Sequence, residues 1–90
     1  MKRDLVARLA ELGYHEHDGV LIQELPDGSA RQFRLEPDKV NLHTRLVPAR
    51  RTDDIQSDLP WESSGGILRQ WKTDRNTAML EWLLDQGMKI

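Results

Sequence analysis

The sequence predicts an α+β fold: an N-terminal helix, an antiparallel meander of three or four strands, and a C-terminal helix, with both helices on one face of the sheet. Three observations carry that expectation. Between Asp18 and Val47, three runs rich in Val, Ile, Leu and Phe are each bounded by a Pro, Asp or Gly group, the pattern of strands joined by tight turns. Apolar side chains recur at helical spacing before this meander and again after it. Within Val40–Val47, Val40, Leu42, Thr44 and Leu46 alternate with Asn41, His43 and Arg45, so one sheet face is dry and must be covered, and the helices are the available cover.

Lys2–Leu12 reads as the first helix. Leu5, Val6, Leu9, Ala10 and Leu12 share one side and Asp4, Arg8 and Glu11 the other. Gly13 ends it, because a glycine there can turn left-handed and let Tyr14 pack back on Leu9. Tyr14–His17 is a short edge strand that folds back through Asp18-Gly19, a dipeptide suited to a two-residue hairpin turn.

The next turn, Leu25-Pro26-Asp27-Gly28, admits two registers. A type I turn with a glycine bulge sets Leu25 opposite Ser29 and Leu21 opposite Phe33. A two-residue turn at Asp27-Gly28 pairs Glu24 with Arg31 and Ile22 with Phe33, matching side chains better but wanting a hydrogen bond that Pro26 cannot donate. The sequence leaves this open.

Residues 48–66 lack periodicity and read as a long connection with Ile55, Leu59 and Trp61 as its apolar anchors, expected to be the least protected part of the chain in hydrogen exchange. Ile67–Lys72 suits either a last strand or a helical turn, and we favour the turn. Asp74–Gln86 is the second helix, capped by Thr73 or Asp74 and closed by Gly87-Met88 much as Gly13-Tyr14 closes the first. The expected common core is Leu5, Leu9, Leu12, Phe33, Leu42, Leu46, Met79 and Leu83.

With 90 residues, 38% hydrophobic and 31% charged, the chain is expected to form a single domain over residues 1–90 with a small core. The absence of cysteine excludes disulfides and thiolate chemistry and suits a reducing compartment. No apolar run is long enough to span a bilayer, and the start Met1-Lys2-Arg3-Asp4-Leu5 lacks the apolar segment of a secretory signal. The expectation is a soluble cytoplasmic protein without a membrane partner. The net charge of −2 gives no long-range field of one sign, which sets aside polybasic nucleic-acid binders and acidic DNA mimics.

His15 and His17 would project from one strand face, and with His43 they could hold zinc or nickel, although polar residues on an edge strand explain them as well. Ser63 and Ser64 before Gly65-Gly66 lack the continuation of a phosphate loop and read as a connector. Arg50, Arg51, Arg69, Lys72 and Arg75, together with Arg45, could form a basic patch with Trp71 stacking on a base beside it, but nearby acids cancel the field that nucleic-acid affinity needs. Asp54 and Asp58 with Leu59 and Trp61 could dock on a basic partner or could instead form a lid on a thin core.

On the second helix, Ala78, Met79, Leu80, Trp82, Leu83 and Leu84 sweep about 240 degrees, more than one sheet face requires. Internal burial is the expectation for that excess, and an interface through Trp82 or Leu84 the alternative. The function expected is therefore a small non-catalytic protein-binding module, an adaptor or inhibitor, with Asp54, Asp58, Leu59, Trp61, Trp82 and Leu84 as its contact residues. Its partner is another protein or a second copy, and no cofactor is expected. A nucleic-acid-binding regulator ranks second, and metal-dependent activity at His15, His17 and His43 third.

Overall fold

We describe residues 2–49 and 59–89 of a computed structural model. The order is α1 (Arg3–Glu11), β1 (Tyr14–His17), β2 (Val20–Glu24), β3 (Ala30–Leu35), β4 (Leu42–Val47), β5 (Glu62–Ser63), α2 (Gly65–Thr73) and α3 (Thr77–Asp85). The strands form one antiparallel sheet in the order β1-β2-β3-β4-β5, each beside its neighbours in sequence. The fold is α+β as expected, with a fifth strand where three or four were foreseen. That strand comes from the expected connection at residues 48–66: Ser63 pairs with His43 and Glu62 with Thr44. Residues 50–58, with Arg50, Arg51, Asp54, Ile55 and Asp58, lie outside the described residues.

Local chemistry sets the turns. Asp18 (φ 50°) and Gly19 (φ 81°) are both left-handed, as the hairpin turn between β1 and β2 requires, and the Glu16 carboxylate accepts the Gly19 N–H at 2.7 Å. Between β2 and β3, Leu25 N–H donates to Ser29 O at 2.9 Å and Gly28 N–H to Leu25 O at 3.0 Å, which settles the register on Leu21 opposite Phe33. The Asp27 carboxylate fastens this turn by accepting from both Ser29 N–H and Ser29 Oγ. Those bonds, the hydroxyl's first, hold its pKa below the ordinary carboxylate value.

Register divides the side chains between two faces. Leu21, Phe33 and Leu42 point to the helices and join Leu5, Leu9, Leu68, Trp71, Ala78, Met79, Trp82 and Leu83 in one cluster, with the Phe33 and Trp71 rings edge-on at 5.3 Å. Leu12 and Leu46 do not belong to it, each being 46% exposed. Leu12 is the C-cap of α1, where the chain is already turning toward β1. Leu46 sits in a cross-strand row with Arg31 and Gln23, a polar rim rather than the core. The opposite face is not uniformly wet either, since Ile22, Gln32 and Val47 on it are buried although Ile22 and Val47 lie outside the main cluster.

The ambiguous stretch 67–72 is helical and belongs to α2, with Leu68 and Trp71 buried three residues apart on one side. This shifts the start of the next helix. Thr73 ends α2 and the Asp74 carboxylate is taken by Gln70 Nε2 at 2.8 Å, so neither caps α3. Arg75 turns left-handed (φ 54°) and Asn76 caps instead, its Oδ1 accepting Met79 N–H at 3.3 Å.

At the far end, Gly87 (φ 93°) donates to Leu84 O and Met88 N–H to Leu83 O, both at 3.0 Å, the paired bonds of a Schellman ending. Lys39, in the β3–β4 turn, holds this end twice: its Nζ donates to Gln86 O at 3.2 Å and its carbonyl accepts Lys89 N–H at 2.7 Å.

Candidate functional site

Trp61 lies on the sheet face opposite the helices. The guanidinium carbons of Arg34 and Arg45 stand 4.3 and 4.4 Å from its ring centre, and the His43 ring stacks on it at 6.5 Å and 27°. The β3–β4 register gathers these groups, because Arg34 pairs with His43 and Gln32 with Arg45. Arg45 Nε donates to Gln32 Oε1 at 2.7 Å and Nη1 to Leu59 O at 3.0 Å, so one arginine ties β3, β4 and the 59–61 segment together. Burial, and secondly the neighbouring Arg34 charge, lowers the Arg45 pKa from its ordinary value. A cation over an indole is worth about 0.5–2 kcal/mol, the upper end where water is excluded. The arrangement uses Trp61 and Leu59 internally, as a strap fastened across the sheet.

Two groups beside this strap have catalytic chemistry in principle. His43 Nε2 lies 3.2 Å from Glu36 Oε1, with both side chains largely buried, and Ser63 is the cross-strand neighbour of His43. The other imidazole nitrogen, Nδ1, is buried without a hydrogen-bond partner among the described residues. The nucleophile-to-base bond on which a hydrolytic triad turns is thus not made.

The second candidate is the outer side of α3. Ala78, Met79, Trp82 and Leu83 face the core, and Leu80 is half-buried, but Leu84 is 50% exposed. The expected internal burial of the helix's apolar excess therefore stops at Leu84. This side chain stands between two hollows. One, of about 250 Å³, is lined by Leu80, Leu84 and Met88 with Lys72 and Lys89. The other, of about 360 Å³, is lined by Leu5 and Leu84 with Lys2, Glu81 and Asp85. Glu81 is engaged there by an ion pair with Arg8, which also reaches Asp4 at 3.2 Å.

The remaining expected site residues are dispersed. Trp82, expected as a contact residue, is wholly buried and forms part of the core, and among the described residues its indole N–H has no partner. Arg69, Lys72 and Arg75 are exposed along α2 and the turn after it, with Asp74 beside Arg75 in a hollow that also holds Arg8 and Glu11. His15 and His17 lie on β1 while His43 lies on β4 with two strands between, and among the described residues no three His, Asp or Glu side chains are grouped to hold a metal ion. Among the described residues, no helix is long and apolar enough to cross a membrane.

Sequence reasoning did not find the partners of Trp61, because Arg34 and Arg45 reach it only through the β3–β4 register. The signal was the turn Glu36–Asn41, where Glu36 N–H bonds Asn41 O at 2.9 Å and the Asp38 carboxylate accepts Val40 N–H at 2.8 Å, fixing that register. Compared with known proteins, the chain matches no family model, and no curated protein or solved structure is significantly similar to it.

Proposed function

We propose that the chain is a small non-catalytic protein-binding module, an adaptor or inhibitor that acts by surface contact in the cytoplasm. The observation that carries this reading is Leu84, a large apolar side chain half-exposed on a helix between two hollows, in a domain whose other α3 leucines are wholly or partly buried. Exposure by itself does not distinguish Leu84 from Leu12 or Leu46, but Leu84 is continuous with Leu80 and Met88 around one hollow, and a contiguous apolar patch of that kind marks a contact made with another molecule. The fastening of Trp61 onto the sheet supports the same choice, since it leaves the other aromatic candidate partly buried and engaged by Arg34 and Arg45. A cysteine-free composition suits a reducing compartment.

Site-specific photocrosslinking in living cells tests it. A photoreactive amino acid at position 84 is expected to trap a discrete partner, or a second copy of the chain, that the same probe at the exposed Glu24 position does not. Adducts that are the same from both positions, or absent from both, would remove the α3 face as an interface.

A further inference from the structure

We infer that the segment received by this face is an acidic amphipathic helix of another protein, an inference that rests on the protein-binding reading above. The chain contains four lysines, at positions 2, 39, 72 and 89, far apart in sequence. All four gather around the outer side of α3. Lys72 and Lys89 line the hollow made by Leu80, Leu84 and Met88, and Lys39 reaches the carbonyl of Gln86 at the helix end. Lys2 lines the neighbouring hollow on the far side of Leu84.

The arginines nearest in character do other work: Arg8 pairs with Glu81, and Arg34 and Arg45 clasp Trp61. On the Met88 side, a nearly neutral chain thus borders Leu84 with two ammonium groups, and among the described residues no carboxylate lines that hollow. Lysine suits such a rim, because its stem covers apolar surface while its charge stays in water.

The shape of the site specifies the occupant further. Leu80 and Leu84 lie one turn apart on α3, about 6 Å at the rise of an α-helix, and Met88, folded back beyond the Gly87 turn, extends the same apolar wall, against which the stripe of a second helix can lie. The hollow is concave and receives a protruding side chain, whereas a lipid surface is entered by convex apolar groups. Met88 adds an adaptable wall.

Charge then orients the guest. Carboxylates are attracted to Lys72 and Lys89, while in the other hollow Glu81 is paired with Arg8 and Asp85 offsets Lys2, so the acidic helix is directed to the Met88 side of Leu84.

The test uses two designed peptides of about 16 residues, long enough to be helical, that share one leucine stripe and carry either Glu or Lys at the remaining positions. Each is titrated into the isotope-labelled full chain and followed through its amide resonances. The Glu peptide is expected to shift Lys72, Leu80, Leu84, Met88 and Lys89 saturably, with affinity falling tenfold or more between roughly 50 and 300 mM salt. Leu84→Glu should lose at least tenfold. The charge reversal Lys72→Glu with Lys89→Glu, at exposed positions, should transfer preference to the Lys peptide, and it serves if Leu84→Glu does not fold.

Equal binding of both peptides at these residues would overturn the acidic partner while leaving the protein-binding reading intact. Failure of either peptide to shift this face would overturn the inference, and the reading with it unless crosslinking from position 84 had succeeded. Self-association through Leu84, or binding of phosphatidylserine vesicles but not the Glu peptide, would assign the face to a second copy or to lipid and likewise overturn the inference.

Discussion

Leu9 and Leu12 lie three residues apart on the same turn of chain, yet one is fully enclosed and the other half-exposed. Truncation should separate them. Leu9→Ala, like Leu83→Ala, is expected to cost about 2–5 kcal/mol in denaturant unfolding, because each leaves a cavity in a small core. Leu12→Ala and Leu46→Ala should stay within about 0.5 kcal/mol, as surface substitutions do. The helical wheel alone could not make this distinction, since it reports the direction of a side chain and not where the neighbouring elements end.

Two exposed carboxylates give a pH signature at the same scale. Asp27 and Asp38 both have pKa values lowered by hydrogen bonds, from Ser29 in the first case and from the Val40 and Asn41 amides in the second. A lowered folded-state pKa contributes stability that is complete above the unfolded value, about 4, and is lost as pH falls through the folded one. Urea midpoints should therefore decline on acidification below pH about 4, and the double variant Asp27→Ala, Asp38→Ala should flatten that decline. An unchanged profile would show that these turn bonds do not form in solution.

At the scale of elements, the N-terminal helix and the meander were legible because pattern and punctuation agree: a single apolar stripe ended by Gly13, then strands separated by Asp18-Gly19 and Pro26-Asp27-Gly28. The α2–α3 region was not, for a physical reason. Ile67, Leu68 and Trp71 fit both strand and helix spacing over so short a run, and Thr73-Asp74 resembles a helix start although it is a helix end. The true boundary is made by a left-handed Arg75 and the Asn76 cap.

Asn76→Ala should cost about 1 kcal/mol through loss of the Met79 amide bond. Arg75→Gly should raise the melting temperature, because glycine accepts positive φ without the roughly 1 kcal/mol that an L side chain incurs.

Across the whole molecule, the sheet has a packed face and a strapped face, and only the first was readable. Helical and strand periods identify the side that carries Leu21, Phe33 and Leu42, but the union of Arg34, Arg45, His43 and Trp61 depends on a register between strands and a return of the chain after residue 58. The helical wheel marks Leu84, whereas the lysines near it come from four separate elements or turns that no local pattern connects. Removing the strap should act locally. In Trp61→Ala, the Ser64 amide, which donates to Leu42 O at 2.8 Å, is expected to exchange faster with deuterium, while the amide of Phe33 in the central strand keeps its protection.

Lys2 and Lys89 border the same leucine, which means that the first and last described residues of the chain lie on one side of the molecule. A flexible bridge of a few glycines and serines should then join them without disturbing α1 or α3, and new ends opened between Asp27 and Gly28, in an exposed turn, should yield a circularly permuted chain with the same amide spectrum. The same proximity constrains how the protein is handled: a label attached at residue 2 or residue 89 is delivered next to Leu84. The permuted form, with its ends moved to the opposite end of β2, is the version in which labels leave that face uncovered.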